Sequence, residues 1–270
     1  MKSKLLLGIM IVGMLVVSGC SNDSKNISVG SYIAYKPNIT SCTVLKEYSG
    51  AEEDQTYNPS SVTSWKVFKN NDGQLDIISS ESIGDLTLQG STGYANYVYV
   101  LNSLCSQYAN EYADGAVSIG STKNWIKEPA NATNTDIANS IGIIDTNAYP
   151  IRHAITYCLV DKYPYEDTHY LTTMPLEDNG YLEKSLRHGN DYVWIASRSL
   201  DVRNSLSNFY VKRLYSDGRI SGDFLCHSYL SGKDSLFSHS YGVRPVVSLK
   251  EGIKITGGRG TKNNPYTISM

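Results

Sequence analysis

The chain has 270 residues, with 24 basic and 26 acidic side chains, a formal net charge of −2, and no run of Lys or Arg. Phosphate binding needs a clustered basic face, so this charge pattern argues against nucleic acid as a partner. The one unusual count is 21 Tyr against 4 Phe and 3 Trp; a rigid ring with a polar tip suits both exposed recognition surfaces and half-exposed strand faces.

Lys2 and Lys4 precede an uncharged run from Leu5 to Val17, and Val17-Ser18-Gly19-Cys20 closes the segment with small residues before a cysteine. The run is short for a membrane span and reads as a cleaved leader over residues 1–19. It resembles the bacterial lipobox, which implies cleavage between Gly19 and Cys20 and a diacylglycerol thioether on Cys20. An uncleaved anchor is the alternative; a type IV pilin leader would need a Gly-Phe step and an early Glu, which are missing here. Acyl chains contribute about 0.8 kcal/mol per buried methylene, so several on one cysteine hold a globular domain at a membrane surface. Loss of Lys2 and Lys4 leaves 22 basic against 26 acidic residues. The roughly 250 residues that remain are ample for a hydrophobic core.

The reading divides the rest into a polar tether over 20–26 and one domain over 27–270, with no Pro- or Ser-rich linker and no internal repeat. Ile27 to Tyr35 alternates small and apolar residues and predicts a strand ending before Pro37. Trp65 to Phe68, Asn70-Asn71-Asp72-Gly73, and Leu75 to Ile78 predict a β-hairpin, because Asp-Gly readily takes the positive φ of a tight turn. Tyr94, Tyr97, Val98, Leu101, Leu104, Cys105 and Tyr108 recur at three- and four-residue intervals and predict one amphipathic helix on the sheet, its aromatic stripe in the core. Periodicity fades from Ala109 to about Gly189, with a short helix expected at 135–141 and an apolar stretch at 151–160. Tyr192 to Arg198 predicts a strand, Phe209 to Leu225 a hairpin closed by Ser216-Asp217-Gly218, and Tyr241 to Leu249 a further strand. Pro245 cannot donate to a ladder, so that strand must carry it at an edge, a bulge or a start.

With Cys20 assigned to lipid, Cys42, Cys105, Cys158 and Cys226 remain, an even count that suggests disulfides in an exported chain. Their wide spacing, without C-x-x-C, argues against zinc, and no metal or cofactor is expected. Buried free thiols are the alternative, Cys105 occupying a position suited to a helix in the core.

The last third carries a family resemblance. Its V-W-I-A-S-R strand, F-Y-V hairpin closed by S-D-G, G-V-R-P-V-V-S-L block and closing G-G-R-G-T-K-N-N-P-Y-T-I resemble the bacterial family catalogued as domain of unknown function 6273. The resemblance extends more weakly to the N-terminal strand, Trp65-Lys66-Val67 and the helix after Gly93-Tyr94. That family is similar in turn to the C-type-lectin-like fold of the formylglycine-generating enzyme group, whose closing strand begins Gly-Phe-Arg; Gly242, Val243 and Arg244 match it here. The resemblance implies an α+β domain with twisted antiparallel sheets, one or two helices and long irregular loops that form the binding face. It does not imply oxidase chemistry, since that enzyme uses a metal-binding cysteine pair near its C-terminus and only Cys226 stands there.

Arg244 suits an anion clamp or a buried tie between strand and loops, and its place within a strand favours the tie. Trp194 and Arg198 fall on one face with Ala196, either core wall or binding floor. His153, His169, His188, His227 and His239 lack metal-ligand spacing. Asp161, Glu166 and Asp167 among Tyr163, Tyr165 and Tyr170 read as a solvated acidic loop. Gly257-Gly258-Arg259-Gly260 lacks the Gly-Lys-Ser/Thr ending of a phosphate cradle and reads as a turn between short strands. No G-x-S-x-G elbow occurs. The expectation is a lipid-anchored module that binds a carbohydrate or surface protein through Tyr-rich loops, without catalysis. The alternatives are a structural envelope component with no small ligand, or an enzyme whose site is assembled from scattered His, Asp and Cys.

Overall fold

The protein is described from a computed structural model over residues 24–39, 41–58, 64–120, 174–175, 184–187, 189, 192–203, 206–229 and 234–270. In chain order the strands are β1 (Tyr32–Ile33), β2 (Cys42–Val44), β3 (Gln55–Tyr57), β4 (Trp65–Asn71), β5 (Gln74–Ser79), β6 (Asp85–Gln89), β7 (Ala113–Gly120) and β8 (Met174–Pro175). They continue as β9 (Val193–Arg203), β10 (Leu206–Leu214), β11 (Ile220–Tyr229), β12 (Asp234–Leu236), β13 (Ser238–Gly242), β14 (Pro245–Leu249), β15 (Lys254–Gly257) and β16 (Thr267–Ser269). The helices are α1 (Lys46–Ser49), α2 (Gly90–Ala95) and α3 (Tyr97–Ser106). The fold is α+β and mostly sheet.

Two six-stranded sheets carry the fold, ordered β1-β4-β5-β14-β7-β8 and β12-β11-β10-β9-β13-β6. Pairing is antiparallel except at β7–β8 and β13–β9. Alternation along each strand splits the apolar residues between two cores. Trp65, Val67, Leu75, Ile77 and Val247 of the first sheet join Trp194, Phe209, Val211 and Leu225 of the second, with Tyr94, Tyr97, Val98 and Leu101 from the helices between. Phe68, Ile78, Ile119 and Val246 point the other way and meet Leu186, Val193, Ile195 and Leu214.

The β4–β5 hairpin forms as expected: φ is 53° at Asp72 and 103° at Gly73, the left-handed pair that a two-residue turn requires. Asn70 organises the turn, its Oδ1 accepting the Gly73 N–H at 2.8 Å. The same side chain reaches back to the N-terminal segment, Nδ2 lying within hydrogen-bond distance of the carbonyls of Ser24 (2.9 Å), Lys25 (3.2 Å) and Ile27 (2.8 Å), which share its two N–H groups. Ser24–Asn26, expected within the tether, is therefore a 3-10 turn fastened to the hairpin. The strand expected over 27–35 shrinks to β1, because the Ser31 N–H bonds back to Ser28 and the Gly30 N–H goes to Val67. The β10–β11 hairpin and the β15–β16 pair around Gly258–Gly260 also form as read.

Three other expectations are redrawn. The single helix breaks at Asn96, whose φ of −92° and ψ of 3° leave the helical region, while its N–H and Nδ2 both bond the Thr92 carbonyl. The strand expected over Tyr241–Leu249 is two, β13 in the second sheet and β14 in the first, with the crossing at Val243-Arg244. Pro245 opens β14, where its missing N–H costs least. β7 has no strong sequence signal, yet it lies between β14 and β8 and is steadied by Asn102 of α3, whose Oδ1 accepts the buried Ser118 N–H at 2.9 Å. The helix and apolar stretch expected at 135–141 and 151–160 lie outside the described residues. No helix among the described residues is long and apolar enough to cross a membrane.

Candidate functional site

The residues singled out in the C-terminal block are ties within the fold. Arg244 is 1% exposed, and its guanidinium donates to the Ser79 carbonyl through Nε (2.8 Å) and Nη2 (2.5 Å) and to the Leu186 carbonyl through Nη1 (2.8 Å). Burial pushes its pKa down to about 9, with Glu81 opposing, so it is still a cation at neutral pH. Gly242 donates its N–H to the Tyr192 carbonyl, and a Cβ there would stand 2.5 Å from Ser82 Oγ. Trp194 is wholly buried, with Nε1 donating to Leu86 O at 2.8 Å. Arg198 is also buried; its Nη1 donates to the carbonyls of Tyr94 (2.6 Å) and Ala95 (2.7 Å) and so closes the C-terminal end of α2. The pairing of β9 with β10 jumps between Val211↔Arg198 and Lys212↔Ile195, and Tyr97 Oη lies 2.8 Å from both the Ile195 and Lys212 carbonyls at that bulge. One hydroxyl proton serves one carbonyl at a time.

No disulfide joins Cys42, Cys105 and Cys226, and Cys105 and Cys226 are buried. Cys105 sits in the core on α3, as the alternative reading had it, and burial raises its pKa far above the usual thiol range. Cys158, His153, His169, His188 and the acidic segment at 161–167 lie outside the described residues. Among the described residues no cluster of three His, Cys, Asp or Glu could hold a metal ion. His227 packs between Phe224 and Phe237, and His239 stacks on Tyr241.

A cleft of about 440 Å³ opens between the β2–α1 segment and α3. Asp54 caps α1 by accepting the Lys46 N–H at 2.8 Å, and Gly50 ends it at φ 72°. A Cβ on Gly50 would stand 2.2 Å from Gln89 O, so only glycine lets α1 lie this close to the start of α2. That contact sets Tyr48 opposite Tyr99 of α3, the two half-buried rings 5.9 Å apart and edge to face at 73°. Val44, Val100 and Leu104 form the apolar floor, and Thr43, Ser103, Ser106 and Gln107 supply hydroxyl and amide groups. None of the lining residues is charged: burial pushes the Cys42 thiol up to about 11, so it is neutral and weakly nucleophilic at pH 7. The arrangement can stack against a flat apolar surface and exchange neutral hydrogen bonds around it.

A second tyrosine group lies on the sheet containing β10. The Arg213 guanidinium carbon is 4.5 Å from the Tyr192 ring centroid, 5.0 Å from Tyr215 and 5.2 Å from Tyr241. Arg213 pairs with Asp223 at 3.0 Å and donates to the hydroxyls of Tyr241 (2.8 Å) and Tyr215 (3.0 Å), while Tyr241 donates to Asp223 at 2.9 Å. Burial and the Asp223 bond push the Tyr241 pKa up to about 12. The positive and negative groups answer one another, so this cluster stiffens the surface and leaves little unspent charge for a ligand.

Sequence reasoning singled out neither group. Tyr99 falls off the buried stripe of its helix, and an aromatic on that face was the available signal; Tyr48 and Arg213 gave none, because their neighbours come from distant segments. No family model, curated protein or solved structure matches this chain.

Proposed function

We propose that the protein is a bacterial surface lipoprotein, held at the membrane by lipid on Cys20, whose C-type-lectin-like domain binds a neutral carbohydrate in the cleft between Tyr48 and Tyr99. The cleft carries this reading: its volume of about 440 Å³ falls within the usual range of small-ligand sites, roughly 300–1,000 Å³. Two tyrosines in edge-to-face contact at the cleft wall, an apolar floor and an uncharged hydroxyl and amide rim suit a sugar ring, which has one apolar face and neutral hydroxyls at its edge. An ionic ligand would find no counter-charge among the lining residues. The lipobox pattern of Val17 to Cys20 supports the location, and the G-V-R-P-V-V block supports the fold family.

The test is a glycan-array screen of the full chain in detergent, with Tyr48→Ala and Tyr99→Ala beside it. Saturable binding of an uncharged glycan that both variants weaken by up to about tenfold, as loss of one stacking contact of about 0.5–1.5 kcal/mol does, is the expected result. Binding that both variants leave intact moves the site elsewhere. Silence toward glycans with capture of a surface protein replaces the ligand class. Cys20→Ser should release the chain from the membrane fraction, and unchanged retention overturns the lipid anchor.

A further inference from the structure

The fastening of Ser24–Asn26 to the β4–β5 turn decides how an anchored chain must sit. Asn70 Nδ2 holds the carbonyls of Ser24, Lys25 and Ile27, and Lys25 Nζ lies 3.0 Å from Asp72 Oδ2. Ile27 is buried and belongs to the main core, and a Cβ on Gly73 would meet Ser24 Oγ at 3.0 Å, so the segment packs on the turn as well as bonding to it. Ser24 is four peptide steps from Cys20. Those steps span at most about 14 Å when fully extended.

We infer that the β4–β5 turn is the membrane-proximal pole of the protein, kept against the lipid headgroups by this short link, and that the Arg213–tyrosine cluster is presented at the opposite, distal pole. The inference rests on the lipid-anchor reading of Cys20. The partner it names is the headgroup layer of the anchoring bilayer. The distal assignment follows from strand direction. β5 runs from the turn at Gln74 to Ser79, a length of about 17 Å. At its far end the Ser79 carbonyl receives Arg244, and the chain preceding Arg244 leads through Gly242, bonded to the Tyr192 carbonyl, to Tyr241 of the cluster. A long flexible tether would let the domain turn every face to the membrane; here the docked segment removes that freedom.

The experiment uses the full lipidated chain in vesicles containing a phospholipid with a nitroxide on its headgroup, a short-range quencher. Cys42 and Cys158 are replaced by Ser, and a bimane label is placed at Asn71→Cys, beside the turn, or at Asp217→Cys, in the β10–β11 turn that follows Tyr215. The expected result is strong loss of fluorescence at position 71 and little at 217. Inserting about ten Gly and Ser residues between Asn22 and Asp23, which leaves the folded body untouched, should make quenching at the two positions alike. Equal quenching at 71 and 217 in the lipidated chain without the insertion, or an insertion without effect, overturns the orientation while the anchor stands. A chain recovered without lipid and outside the vesicles overturns the anchor reading, and the orientation with it.

Discussion

Replacing Arg244 measures how much one buried cation holds two layers together. Truncation to Ala leaves the Ser79 and Leu186 carbonyls without their donors, at a cost of about 1–3 kcal/mol each. It also opens a cavity in a site that is 1% exposed. Relief from desolvating the guanidinium, the effect that lowers its pKa, works in the opposite direction. The net loss for Arg244→Ala should be roughly 3–5 kcal/mol, which lowers Tm by about 10 °C in a domain of this size. Thermal unfolding followed by circular dichroism reads the shift. Arg244→Met, which fills most of the volume but donates nothing, should lose about half as much. Arg244→Lys should not restore the native value, since a single ammonium cannot copy the planar fork that grips both carbonyls. A melting point for Arg244→Ala within about 2 °C of the native protein would refute the reasoning, and glycan binding lost at unchanged Tm would make Arg244 a ligand contact instead.

Three further outcomes follow from the geometry. Cys42, with its pKa near 11, carries about one ten-thousandth of its population as thiolate at pH 7; its iodoacetamide labelling in native protein should rise about tenfold per pH unit up to that value, and a plateau near pH 8.5 would contradict the burial. Burial raises the Asp76 pKa despite the Ser248 hydroxyl, which donates to it at 2.6 Å, and nearby Lys69. A carboxyl whose folded pKa is raised binds its proton more readily in the folded state, so its effect is to lower stability as pH rises from the usual carboxylate value through the folded one. Asp76→Asn should therefore raise Tm at pH 7 and flatten that part of the stability–pH curve, and an unchanged slope would assign it to other groups. Gln55→Ala, which removes two hydrogen bonds to Thr87, should cost roughly 1–3 kcal/mol; a urea unfolding curve indistinguishable from the native one would show that water replaces the side chain freely.

Local features were legible and relayed ones were not. Asp72-Gly73 and Ser216-Asp217-Gly218 announce hairpins because a tight turn is decided by the residues within it. The run from Tyr241 to Leu249 keeps one apolar pattern while its chain changes sheets, and nothing in that pattern records which partner each half will pair with. Asn96 interrupts a helix whose periodicity continues on both sides, so the break is visible only in the dihedrals. β7 is built from small residues with weak strand preference, and its place is owed to β14 and to Asn102. Reading Cys105 as a core thiol needed only its position in a helix; Arg244 is the buried tie that was expected, but it stands in the crossing between β13 and β14, not within a strand. The cleft could not be read, because it exists only once a four-residue helix is pressed against the start of α2 by Gly50.

The side chain of Gln55 lies against the outer strand of the second sheet, its Nε2 donating to Thr87 O at 2.9 Å and its Oε1 accepting the Thr87 N–H at 2.6 Å. Tyr57 adds a bond to the Asp85 carbonyl at 2.9 Å. An amide group thus stands where the backbone of another strand would pair, and β6 has no free rung at Thr87 to offer. An unpaired strand at the edge of a sheet is a template on which another chain can add. At Thr87 that template is already occupied, so Gln55 closes this rung of β6 to strand addition.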